Sequence, residues 1–124
     1  MQVPSFIARR FYVTSSLRNT ATGFSLEAQN PMGSGTLVGV RALSVDGRPI
    51  PLEAVSAVRQ GESEPIRATD LSRLHPIKVA LGDRVTLAVT GDRLATGEHK
   101  LEVELDELNL GALRLSISDR VTEA

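Results

Sequence analysis

The chain predicts an all-β domain, an antiparallel two-sheet β-sandwich of immunoglobulin-like or jelly-roll-like type with room for one short helical turn. Three observations lead there. Apolar and polar residues alternate over several stretches, the period of a half-buried strand. Turn-forming residues separate those stretches about every ten positions, the rhythm of sandwiches and barrels. The 124 residues are 41% hydrophobic, too apolar for a disordered segment and enough for one core. Residues 1–124 therefore read as a single domain.

Ile7 to Thr14 is rich in aromatic and β-branched residues but mixed in its facing, and the composition favours a strand. Phe24, Leu26 and Ala28 then alternate with Ser25, Glu27 and Gln29, which sends Phe24 to the core. Asn30-Pro31 and Gly33-Ser34-Gly35 mark a loop. Leu37 to Val45 is almost continuously apolar, as a central strand would be. Val45-Asp46-Gly47-Arg48-Pro49-Ile50 reads as a hairpin, because Asp-Gly readily adopts the positive φ angles of a tight turn. Glu53 to Gln60 has the composition for two helical turns, and Asp70 to Leu74 for one short turn before Pro76. Further on, Val85, Leu87 and Val89 alternate with polar residues, as do Leu101, Val103 and Leu105, then Leu113, Leu115 and Ile117. Leu105, Leu108, Leu110 and Leu113 also fit helical spacing, but Asn109 and Gly111 favour a hairpin there.

The composition excludes several function classes. Net charge is −1, and the chain's 2 lysines and 12 arginines are scattered, so no basic face is offered to nucleic acid. With 0 cysteines there are no disulfides, thiolate ligands or thiol nucleophile. Met1 to Ser5 lacks the basic start and apolar run of a secretory signal, and no apolar stretch reaches the roughly 20 residues a bilayer demands. A cytoplasmic chain with no membrane partner is the expectation.

Catalytic patterns are sparse. His75 and His99 are the 2 histidines, far apart and without a companion ligand; a metal site needs three or four converging donors. Both read as solvated or hydrogen-bonded residues. Glu102, Glu104 and Asp106 share one strand face with Lys100 beside them, the pattern of a solvated face. Gly33-Ser34-Gly35 fits neither a nucleophile elbow nor a phosphate loop. The expectation is that this chain carries no catalytic, cofactor or metal site. An independent carbohydrate- or protein-binding module is the alternative reading, its carbohydrate form weakened by the absence of Trp and by only four aromatic residues, Phe6, Phe11, Tyr12 and Phe24.

Ser16-Leu17-Arg18-Asn19 with Gly23-Phe24-Ser25-Leu26, then Leu43-Ser44-Val45-Asp46-Gly47, then Leu94-Ala95-Thr96-Gly97-Glu98-His99-Lys100-Leu101-Glu102-Val103 together resemble the small β subunit of bacterial C-glycoside deglycosidases. The segment after Asn30-Pro31 departs from that pattern, reading Met32-Gly33-Ser34-Gly35-Thr36 where relatives carry aromatic and basic residues. The resemblance implies a non-catalytic accessory subunit in a hetero-oligomeric lyase complex. A larger (β/α)-barrel partner would then hold a divalent metal, Mn or Mg, and cleave the C–C bond of 3-oxo-C-glycosides. Phe6, Phe11, Tyr12 and Met32 are the candidate partner-interface residues, since their segments do not alternate cleanly and leave apolar side chains free to face outward.

Overall fold

In the computed structural model, residues 1–122 are described. One helix, α1 (Ser5–Phe11), opens the chain, and strands β1 (Arg18–Asn19), β2 (Gly23–Gln29), β3 (Gly35–Val45) and β4 (Arg48–Pro49) follow. Next come β5 (Val55–Arg59), β6 (Ile66–Arg67), β7 (Ile77–Val79) and β8 (Arg84–Thr90). The long hairpin β9 (Gly97–Glu107) and β10 (Gly111–Val121) closes the fold. One sheet runs β1-β2-β8-β5-β6, the other β10-β9-β3-β4, with β7 on the start of β3. Every strand pair is antiparallel. The architecture is an all-β two-sheet sandwich, as the alternation implied.

The core lies between the sheets because one face of each strand is apolar. Phe24 and Leu26 of β2, Val85, Leu87 and Val89 of β8, and Val55 and Ala57 of β5 face inward from one sheet. Leu37, Val40, Leu43 and Val45 of β3, Leu101 and Val103 of β9, and Leu113, Leu115 and Ile117 of β10 meet them from the other. The inward positions on β3 are spaced three, three and two residues apart. Two β-bulges, between Leu37 and Gly39 and between Val40 and Ala42, each insert an extra residue against β9. The nearly continuous apolar run in the sequence is therefore a bulged strand rather than one buried on both faces.

The Asp46-Gly47 turn forms the β3–β4 hairpin, with φ of 53° at Asp46 and 82° at Gly47. Positive φ at both central positions matches the right-handed twist of the flanking strands.

Three local expectations are corrected. Ile7 to Thr14 does not form a strand: Ser5–Phe11 is helical, following Pro4, whose carbonyl accepts from the Ala8 N–H at 2.8 Å. Ala8 is fully buried against the sandwich, and Arg9 and Arg10 fall in the last turn, where cations suit the helix dipole. Packing of this one apolar face outweighs the β preference of Ile7, Phe11 and Tyr12. Glu53 to Gln60 is not a two-turn helix; a single 3-10 turn at Leu52–Ala54 leads into β5, whose Val55 and Ala57 are buried. The short turn expected at Asp70 to Leu74 lies slightly earlier, at Ala68–Asp70.

Candidate functional site

At one end of the sandwich the β2–β3 loop, the β7–β8 loop and the β9–β10 turn come together. Asn30 ties the first two. Its backbone N–H donates to the Asp83 carbonyl at 3.0 Å, and its own carbonyl accepts from the Gly82 N–H at 2.7 Å. Its side-chain amide donates to the carbonyls of Gly33 and Val79, while Oδ1 accepts from the Met32 N–H at 3.1 Å. A short side chain with both a donor and an acceptor can bridge neighbouring backbone in this way, which is why Asn marks turns.

Glu107 ties the third. Its Oε2 accepts from the Thr36 N–H at 2.9 Å, and its Oε1 from the Asn109 and Leu110 N–H groups, each at 2.8 Å. Burial pushes the Glu107 carboxyl up, but the backbone N–H groups of Thr36, Leu110 and Asn109 outweigh it and hold it below its ordinary 4.5. The carboxylate is thus a brace for the turn.

The braced loops present large apolar side chains outward. Met32 is 65% exposed, Leu81 67%, Leu110 51% and Leu108 40%. Between the loops opens an apolar cleft of about 300 Å³. Leu105, Leu113 and Leu115 line it from one sheet, Val85 and Leu87 from the other, and Phe11 from the end of α1.

The four residues expected at a partner interface are dispersed. Met32 sits on the rim of the cleft and Phe11, half-buried, forms part of its wall. Phe6 is 71% exposed on α1. Tyr12 faces inward instead: it is buried, and its hydroxyl donates to Asp119. Burial first, and then this hydrogen bond to a carboxylate, push the Tyr12 hydroxyl well above its usual range. Tyr12 is buried rather than outward-facing because it follows a helix, Ser5–Phe11, and bridges to Ala28 of β2.

Sequence reading missed Leu81, Leu108 and Leu110, and missed Asn30 and Glu107 as the braces that aim them. A signal was present. Leucines in segments that otherwise read as turns are out of place unless something covers them.

His99 lies in β9 next to the Asp46 turn. Its Nδ1 is 2.6 Å from Asp46 Oδ2 and its Nε2 is 2.7 Å from the Ala95 carbonyl. Both partners are acceptors, so the imidazolium, with two N–H donors, fits this place best. The Ala95 carbonyl and the Asp46 carboxylate accordingly raise the His99 pKa above 6.5. The Lys100 backbone N–H and His99 lower that of Asp46 below 3.8. The sign follows from linkage. A raised histidine pKa adds stability that is fully present below about pH 6.5 and is lost as pH rises through the folded value. The melting temperature of the native chain should thus fall as pH rises above about 6.5, and that fall should shrink in His99→Gln. An unchanged pH slope in the variant would assign the effect elsewhere.

The acidic strand face is an ion-paired surface. Arg114 meets Glu104 at 2.8 Å and Arg41 meets Asp106 at 2.7 Å, with Lys100 and Glu102 at 3.9 Å. Among the described residues no three His, Cys, Asp or Glu side chains gather where they could hold a metal ion. His75 sits in the loop before β7. No helix among them is long and apolar enough to cross a membrane.

No curated protein matches the chain. A family model does match, over residues 7–122, and it overturns the likeness to C-glycoside deglycosidase β subunits and with it the lyase complex. The fold shows why that likeness misled. Val45-Asp46-Gly47 is a common hairpin turn, and Leu94 to Val103 is an entry into a sandwich strand. Geometry alone demands such residues in many unrelated sandwiches. By the match over nearly its whole length, the chain belongs to the family described as the hydroxymethylglutaryl-CoA reductase N-terminal domain.

Proposed function

We propose that this chain is a non-catalytic module that accompanies a larger catalytic chain and meets it through the loop end of the sandwich. The observation that carries the reading is the set of apolar tips, Met32, Leu81, Leu108 and Leu110, exposed on three loops that Asn30 and Glu107 hold in place. Apolar side chains held rigidly outward keep the entropy cost of association low, and clustered exposed apolar residues mark interaction surfaces. The family description supports a module that works beside another part of an enzyme, since it names one domain of a reductase. An independent sugar-binding module has less support: Phe24 and Tyr12 are buried, so they offer no platform for a sugar ring.

The test pairs the chain with the catalytic chain of a hydroxymethylglutaryl-CoA reductase from the same source, by sedimentation velocity. A stable complex is expected, and Leu81→Asp with Leu108→Asp should weaken it by about tenfold or more, because central apolar contacts dominate such interfaces. Equal binding by the double variant, or no complex with the native chain, would remove this reading.

A further inference from the structure

Beyond docking to another polypeptide, we infer that the cleft at the loop end is a binding site for a neutral, largely hydrocarbon small molecule. The cleft reaches past the loops to the core: Leu37, Val85, Leu87, Leu113 and Leu115, which line it, are all buried residues belonging to both sheets. Its volume of about 300 Å³ lies at the small end of ligand sites. Aliphatic walls give water no hydrogen bonds, whereas hydrocarbon gains contact on every side.

Charge narrows the class. Among the described residues, the ionisable ones lining the cleft are two carboxylates, Asp83 and Glu107, and no Lys, Arg or His lines it. Both Glu107 oxygens are taken by backbone N–H groups, while Asp83 accepts from the Ala80 N–H at 2.8 Å and lies 3.8 Å from Arg59. An anionic head group would find no cation among the described lining residues, since Arg59 lies behind Asp83, and moving it out of water uncompensated is costly. Ser34 and Asn109 at the mouth offer uncharged hydrogen-bonding groups. These walls and this rim suit a molecule with an apolar body and at most a few neutral polar atoms.

Two probes sharing one ring system separate the possibilities. N-phenylnaphthylamine is neutral, and anilinonaphthalene sulfonate adds a single negative charge. With the purified chain alone, the neutral probe should show saturable fluorescence at one site per chain, and the sulfonate should bind at least about tenfold more weakly. Ala28→Phe, which adds a ring to the cleft wall, should weaken the neutral probe by about tenfold. Leu110→Lys, in an exposed turn that tolerates the change, should shift the preference toward the sulfonate. It keeps the test decisive if Ala28→Phe unfolds the chain. Non-saturable binding of the neutral probe, equal affinity for both probes, or an unchanged preference in Leu110→Lys would overturn the proposal. So would unaltered binding in a folded Ala28→Phe. Neither the double variant of Leu81 and Leu108 nor the catalytic chain enters this experiment, so docking and ligand binding can fail separately.

Discussion

Phe24→Ala is expected to lower the stability of the chain by about 3–5 kcal/mol, the usual cost of removing a buried aromatic ring. Phe24 is 2% exposed at the start of β2, paired with Val89 on one side and Asn19 on the other. Its loss removes the apolar contacts that join these strands to the facing sheet, and the surrounding backbone, held by ladders on both sides, is poorly able to collapse into the space. A domain of this size has roughly 5–15 kcal/mol to lose. The melting midpoint should drop by roughly 10–20 °C, read by thermal unfolding. Phe24→Leu, which keeps most of the volume, should lose much less. A midpoint within a few degrees of the native one in Phe24→Ala would mean that the ring is not part of the packed core.

The second large effect is expected at Asp119→Ala. One carboxylate oxygen of Asp119 accepts from both the Tyr12 hydroxyl and the Leu17 N–H, the latter at 3.1 Å. Deleting it strands two donors in a part-buried place, and each stranded donor costs about 1–3 kcal/mol, so the variant should lose about 2–6 kcal/mol. In a double-mutant cycle with Tyr12→Phe the two losses should fall short of additive, since Tyr12→Phe already removes one stranded donor. The variant also has a reach that core substitutions lack. Tyr12 follows α1 directly, bridges to Ala28 of β2, and fixes the position of Phe11 in the cleft wall. Loosening of α1 should appear as faster amide exchange over residues 8–12 and as weaker binding of the neutral probe. Additive losses in the cycle would show that Asp119 and Tyr12 act independently.

Much of this architecture was legible in the sequence because burial on one face of a strand is a local, periodic requirement. Leu101-Glu102-Val103-Glu104-Leu105 and Leu113-Arg114-Leu115-Ser116-Ile117 carry that period without interruption, and both are strands with the predicted faces inward. The Asp46-Gly47 turn was legible for a different reason: few residue pairs accept positive φ twice in succession. At the candidate site the reading was thinner. Met32 and Phe11, which the broken alternation marks, border the cleft, but the same signal points to Tyr12, which is buried, and it leaves the loop leucines unmarked.

By itself, then, the order of residues determined the main alternating strands, the all-β class and the turn chemistry, all of which depend on composition and on neighbours a few positions apart. Only the tertiary structure decided that residues 5–11 are helical, that β3 is bulged, and that Asn30 and Glu107 tie three loops with exposed apolar residues together at one end. Those outcomes depend on contacts between segments tens of residues apart, where packing free energy exceeds local preference, and no periodicity along the chain records them.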